Sequence, residues 1–204
     1  PNYAGDSGIG INPALGKEIR EADLVVLLGG RYSEMPSATY SLMQSPYPQQ
    51  KLVHVYPDPS ELGRVYRPDL AICAAPEDFV AALDGVSPKA APRWAARTAA
   101  MHQSYLNWST PPQTGPGDVQ MGPIVSWLEE NTAEDTIFTN GAGNYATWVH
   151  RFHRFRRFAT QAAPTSGSMG YGLPAAVAAK QLFPEREVIC FAGDGCFMMH
   201  GQEF

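Results

Sequence analysis

Glu187-Val188-Ile189-Cys190-Phe191-Ala192-Gly193-Asp194-Gly195 decides how this chain is read. Residues 187–192 form a short run of apolar and β-forming side chains, which predicts a buried strand. The run breaks at Gly-Asp-Gly. In an open α/β sheet the carboxyl end of a strand is where ligands sit. Two glycines let backbone turn sharply and approach a ligand, and the carboxylate between them suits a hard cation. The pattern fits a magnesium–diphosphate site.

Upstream, two further predicted strands end in the same manner. Thr136-Ile137-Phe138-Thr139 runs into Asn140-Gly141-Ala142-Gly143-Asn144, and a strand predicted at 157–161 runs into Thr165-Ser166-Gly167-Ser168-Met169-Gly170-Tyr171-Gly172. Helices are expected over Tyr145–Phe152 and over the alanine-rich Leu173–Phe183, which Pro184 ends. A further helix starts at Gly122-Pro123, with Ile124, Trp127 and Leu128 on one face. In a parallel sheet the three glycine loops emerge on one edge, where backbone N–H groups and helix N-termini can bind an anion.

Residues 1–85 repeat the strand–helix alternation. Asn12-Pro13 caps a short helix, and Leu24-Val25-Val26-Leu27-Leu28 reads as a strand buried on both faces. Lys51–Tyr56 and Leu70–Cys73 follow as strands, then a helix over Pro76–Leu83 with acids in its first turn. The fold class is therefore α/β: two parallel-sheet domains with helices on both faces, the second incomplete at its C-terminus. Residues 86–117 read as a linker with one helix, Trp94–Trp108, between the breaker runs Val86–Pro92 and Thr110–Gly117. Residues 118–204 form the second domain. No GxGxxG fingerprint occurs, although Gly29, Gly30, Arg31 and Asp58 at strand ends could hold an ADP moiety; ordinary turn residues are the competing reading.

With 204 residues the chain is long enough to bury a core without staples. A 44% hydrophobic and 17% charged composition with a net charge of −5 describes a globular chain and gives no reason to expect nucleic acid. The mixed stretch His150–Arg157 is read as a solvated or interface loop. Cys73, Cys190 and Cys196 lack a CxxC spacing, and the two in strands are expected to be reduced core thiols of a cytoplasmic protein. No apolar run reaches membrane-spanning length. The start lacks both a signal-peptide pattern and a Met, so a piece of a longer chain is expected.

Gly167-Ser168-Met169-Gly170-Tyr171-Gly172-Leu173-Pro174-Ala175-Ala176, followed by Ala192-Gly193-Asp194-Gly195-Cys196-Phe197-Met198-Met199, resembles the thiamine-diphosphate-binding domain of the acetolactate synthase and pyruvate oxidase superfamily. Ala22–Arg31 and His54–Gly63 resemble its central domain. The resemblance implies that Asp194 ligates magnesium and that the backbone of Gly193, Gly195 and Cys196 approaches the diphosphate, with Ala142, Gly143 and Asn144 opposite. It implies catalytic roles for Gly167 and Met169, whose carbonyl and amide face the aminopyrimidine, and places Ser168 among the cofactor-binding residues. The Met169 side chain would wedge the cofactor into the bent form that brings its amine near thiazolium C2.

The resemblance further implies decarboxylation of a 2-oxo acid with acyl carbanion transfer. An acetolactate-synthase-like carboligase comes first, a simple 2-oxo-acid decarboxylase second and a flavin-linked oxidase third. A non-catalytic nucleotide- or phosphate-binding module is the reading from another class. FAD is possible on the central domain, and a homodimer or homotetramer is implied. The family's asparagine pair, which completes the metal shell, and its activating glutamate have no counterpart in these residues, so the piece alone is expected to be inactive.

Overall fold

The structure is a computed structural model that describes residues 2–87 and 90–204; Pro1 and the Pro88-Lys89 part of the linker signal lie outside the described residues. The chain divides after Trp108 into two compact units.

In the first unit, helix α1 (Pro13–Glu21) starts where the sequence predicts, with the Asn12 side chain accepting from the Ala14 amide at 3.0 Å. Strands β1 (Leu24–Leu28), β2 (Lys51–Tyr56) and β3 (Leu70–Cys73) pair in parallel in the order β1-β2-β3. Helix α2 (Pro76–Leu83) follows as expected. Helix α3 (Ala95–Trp108), expected within a linker, packs on α1. Asn12 Nδ2 donates to Ser104 Oγ at 3.0 Å, Arg97 pairs with Glu18, and the Tyr3 and Tyr105 rings meet edge-on at 4.8 Å.

One face of this sheet forms the core: Leu27 and Leu52 join Met43 and Tyr66, with Ile19, Val25 and Val65 around them. The other face corrects an expectation. Strand β1 is not buried on both sides, because Leu24, Val26 and Leu28 are exposed. A second correction follows from the same geometry: Cys73, at the end of edge strand β3, is exposed rather than core. Cys190 is half-buried and Cys196 buried, and all three are free thiols.

The second unit contains α4 (Met121–Asn131), β4 (Ile137–Asn140), α5 (Ala146–Phe152), β5 (Gln161–Ala162), α6 (Gly172–Leu182), β6 (Val188–Phe191), α7 (Asp194–Met199) and a closing 3-10 turn, Gly201–Glu203. Its sheet is parallel in the order β5-β4-β6. Every residue of the central strand β4 is buried, whereas β6, expected to be buried, is half-buried as an edge strand. Strand β5 lies later than predicted, at Gln161–Ala162, after a turn at 157–159. In α4 the buried side chain is Val125, while Ile124 and Trp127 are exposed. The α/β class with two parallel sheets is as expected, and no helix among the described residues is long and apolar enough to cross a membrane.

The stretch His150–Arg157 is a solvated loop only in part: residues 153–157 lie outside any helix or strand with Arg154, Arg156 and Arg157 exposed, but Phe152, His153 and Phe155 are packed. Its first residues complete α5, and Phe152 is buried. The His153 ring packs on Phe138 at 4.2 Å and on Phe155 at 4.8 Å. Glu129 binds this segment by accepting from the Arg154 amide at 3.1 Å and from Arg156 Nη2 at 2.8 Å. His153 Nδ1 lies 3.0 Å from Glu129 Oε2 without hydrogen-bond alignment. Burial pushes the His153 imidazole below its ordinary value; the Glu129 carboxylate opposes this and Arg156 adds to it.

A depressed folded-state histidine leaves the unfolded chain binding more protons as pH falls below about 6.5, so stability is lost on that side. His153→Gln should therefore show a smaller fall in Tm between neutral and mildly acidic pH than the unsubstituted protein. Parallel curves in a pH series of thermal melts would exclude this role.

Candidate functional site

Parallel pairing brings the carboxyl ends of β4, β5 and β6 to one edge, so the three glycine-containing loops converge there. Each leads into the N-terminus of a helix: Gly141–Tyr145 into α5, residues 163–171 into α6, and Ala192-Gly193 into α7. Helix α6 is pressed against the end of β4. A Cβ on Gly172 would lie 2.7 Å from both the Asn140 carbonyl carbon and the Gly141 nitrogen. Thr139 Oγ1 donates to the Gly172 carbonyl at 2.8 Å, which satisfies a buried hydroxyl in the central strand.

A short relay supports the first loop. His150 Nε2 donates to Asn140 Oδ1 at 2.8 Å, and Asn140 Nδ2 donates to the Gly141 carbonyl at 2.8 Å. Asn140 is buried, so its amide is held in one orientation. Tyr145 then lies across the site. Its hydroxyl is 2.8 Å from Cys196 Sγ, and Cys196 Sγ is 3.1 Å from the Ala142 carbonyl.

Burial pushes the Tyr145 phenol up to about 12, helped by the hydrogen bond to Cys196. Burial would also raise Cys196, but hydrogen bonds from Tyr145 and the backbone of Gly170, Ala142 and Gly193 outweigh it and hold the thiol below its ordinary value. A cysteine in the first turn of a helix is ionised more easily for the same electrostatic reason.

The second loop reaches the Gly-Asp-Gly turn through Met169 and the C-terminal end of α7 through His200. The Met169 Cε atom sits where a Cβ on Gly195 would come within 3.1 Å, with Met169 44% exposed. The Gly170 carbonyl accepts from His200 Nδ1 at 3.0 Å; Gly170 has φ +80°, and the His200 ring fills the space a side chain there would take.

Of the residues singled out in the sequence, the structure brings Ala142, Gly143, Gly193, Gly195, Cys196 and Met169 into one cluster. Gly167 adopts φ +69° on the second loop, with Ser166 and Ser168 hydroxyls 2.8 Å apart beside it. Asn144, Ser168 and Asp194 are exposed at the same edge. Tyr145, Asn140, His150 and His200 were not singled out. Only the position of Tyr145, directly after the glycine loop, signalled a role.

The donor set fits a diphosphate with a shared metal. Helix α7 has no side-chain cap at Gly193, and its first helical bond runs from the Phe197 amide, which leaves the amides of Asp194, Gly195 and Cys196 outside the helix ladder. Asp194 stands in this turn with no side-chain partner among the described residues. Among the described residues no group of three or more His, Cys, Asp and Glu side chains is arranged for a metal ion. A lone carboxylate suits magnesium, which keeps water and takes phosphate oxygens as its other ligands.

Elsewhere the fit is weaker. A small solvent-open cleft of ≈ 20 Å³ lined by Glu129, His153, Arg154 and Arg156 opens near Thr136 and Thr160, at the opposite, amino edge of the sheet. In the first unit, Gly29 takes φ +69° against Pro76, and Asp58 accepts from the Ser60 amide and hydroxyl at 2.8 and 2.7 Å. Both have local roles in turns.

Comparison with known proteins agrees with this geometry. Residues 1–83 match the family model for the thiamine pyrophosphate enzyme central domain, and residues 141–204 that for the C-terminal TPP binding domain. The chain is 30% identical over 190 residues to the acetolactate synthase isozyme 1 large subunit of Escherichia coli, covering 91% of this chain and 32% of that protein. It is 28% identical over 207 residues to the isozyme 2 large subunit of the same organism, covering 100% and 36%. Similarity to the chloroplastic acetolactate synthase 1 of Zea mays is 28% over 190 residues, covering 91% and 29%. The chain thus spans about a third of the length of these relatives.

Proposed function

Since the chain belongs to the thiamine pyrophosphate enzyme family, we propose that its second unit forms the diphosphate side of a thiamine-diphosphate site in an acetolactate-synthase-like carboligase acting on 2-oxo acids. The observation that carries this reading is the convergence of three glycine loops at one sheet edge, with the Met169 side chain over Gly195. In the proposed site the amides of Gly195 and Cys196 and the loop Ala142-Gly143-Asn144 bind the diphosphate. Asp194 shares a magnesium ion with it. The Gly167 carbonyl, Ser168 and the Met169 amide receive the aminopyrimidine, and the Met169 side chain holds the bend. Thiamine diphosphate, when bound, supplies the electron sink for carbanion chemistry. The chain's own contribution is to bind, orient and exclude water.

Turnover is assigned to the full-length protein, as a cytoplasmic homodimer or homotetramer, because these residues span only about a third of the relatives. Titration calorimetry of that protein with thiamine diphosphate, with and without magnesium, tests the reading. Binding that needs the metal, followed by condensation of two 2-oxo acids, is expected. An aldehyde as the main product would favour a simple decarboxylase, and failure to bind the cofactor would overturn the proposal. FAD on the first unit is a separate proposal, decided by whether the purified protein shows flavin absorption.

A further inference from the structure

The glycines of the two diphosphate loops face a side chain of this protein, not open space. A Cβ on Gly141 would lie 2.8 Å from the Tyr145 hydroxyl and 2.9 Å from Cys196 Sγ. On Gly143 it would meet the Tyr145 ring at 2.5 Å, and on Gly193 at 3.0 Å. One ring therefore rests against the β4 loop and the β6 turn together. Its hydroxyl is joined to Cys196, whose Sγ returns to the Ala142 carbonyl at 3.1 Å. The connection runs between segments 51 residues apart in sequence, and the Gly170 backbone of the Met169 loop also hydrogen-bonds Cys196.

We propose that Tyr145 and Cys196 are positioning residues, a clamp that sets the spacing of the Gly141–Asn144 loop and the Gly193–Gly195 turn before the cofactor arrives. This rests on the thiamine-diphosphate reading above. Binding then avoids the cost of ordering two loops, which is how preorganisation raises affinity without a new contact. The clamp also accounts for Gly143 and Gly193 through the ring they accommodate, in addition to any close approach of a ligand.

The test uses the full-length protein and four variants, Tyr145→Phe, Cys196→Ala, Cys196→Ser and the Tyr145→Phe/Cys196→Ala double variant, with thiamine diphosphate and magnesium. Tyr145→Phe keeps the ring and removes the hydrogen bond, so Kd should rise about five- to tenfold, the equivalent of one hydrogen bond. Cys196→Ala should weaken binding by at least a similar factor, and the double variant should be no worse than Cys196→Ala alone, since Tyr145→Phe breaks only a bond which that substitution already removes. Cys196→Ser retains a hydrogen-bonding group and should restore most of the affinity. A general packing role would lower Tm and leave this non-additive pattern in Kd absent.

In ligand-free protein, amide hydrogen exchange should quicken in both 141–144 and 193–197 for Tyr145→Phe. Exchange confined to one loop, or Kd values within twofold of the unsubstituted protein for Tyr145→Phe and Cys196→Ala, would overturn the clamp. If the unsubstituted protein binds no thiamine diphosphate, the functional reading fails, while the exchange measurement still decides whether the two loops are coupled.

Discussion

Gly172→Ala should destabilise the second unit by about 2 kcal/mol and lower its Tm by roughly 8–16 °C. The added methyl would sit 2.7 Å from the Asn140 carbonyl carbon and the Gly141 nitrogen, and 3.0 Å from the Asn140 Cα. All three are backbone atoms at the end of the fully buried central strand, so no rotamer change relieves the contact. Helix α6 cannot withdraw freely either, because the Gly172 carbonyl accepts the buried Thr139 hydroxyl. Overpacking of this kind costs about 1–3 kcal/mol and sometimes more, and the better helix propensity of alanine returns up to about 1 kcal/mol.

The displaced backbone is the root of the Gly141–Asn144 loop, so cofactor affinity should fall together with stability. Gly85→Ala serves as the control: it is exposed, nothing lies within 4 Å, and its Tm should hold. A Gly172→Ala protein that melts with the unsubstituted one would mean that α6 does not press on β4.

Asp194→Ala should do the opposite, leaving Tm nearly unchanged while removing metal-dependent cofactor binding. The side chain is exposed in the first turn of α7, where an acid contributes only about 0.3–1 kcal/mol through the helix dipole. Groups that merely orient a metal's ligands account for 10–100-fold in affinity, so losing the carboxylate itself should cost about a hundredfold or more. Among the described residues Asp194 belongs to no group of three or more His, Cys, Asp and Glu side chains arranged for a metal ion. Calorimetry with thiamine diphosphate at several magnesium concentrations gives the answer. Equal affinity for Asp194→Ala and the unsubstituted protein would remove Asp194 from the metal site. Asp194→Asn, which keeps the shape and loses the charge, should resemble alanine if charge holds the ion.

Where chain composition alone determines a local outcome, the sequence was readable to within a residue or two. Lys51–Tyr56 and Leu70–Cys73 are β-rich runs bounded by breakers, and Pro76–Leu83 begins with Pro and acids; all three elements have the expected limits. The readings that failed concern which face is covered. A continuous apolar run such as Leu24–Leu28 shows that both faces can be buried, but whether a second layer covers Leu24, Val26 and Leu28 depends on what packs there. Ile124, Trp127 and Leu128 do share helical spacing, yet burial in α4 falls on Val125. Charge in His150–Arg157 concealed Phe152 and His153, whose rings point into the core while the neighbouring arginines remain accessible to carboxylates.

At the site itself the division is the same. Gly193-Asp194-Gly195, Gly141–Asn144 and Gly167–Met169 could be read as ligand loops because strand ends, glycines and a lone acid carry their chemistry locally. Their meeting at one edge follows from parallel pairing, which the β–loop–α rhythm already implied. Only the tertiary structure decided that the Tyr145 ring spans the β4 loop and the β6 turn, that Cys196 holds its hydroxyl, and that His200 and Asn140 brace the flanking backbone. Those partners lie 10 to 51 residues apart or turn on a single side-chain rotamer, and neither periodicity nor composition encodes which rotamer a packed interior will select.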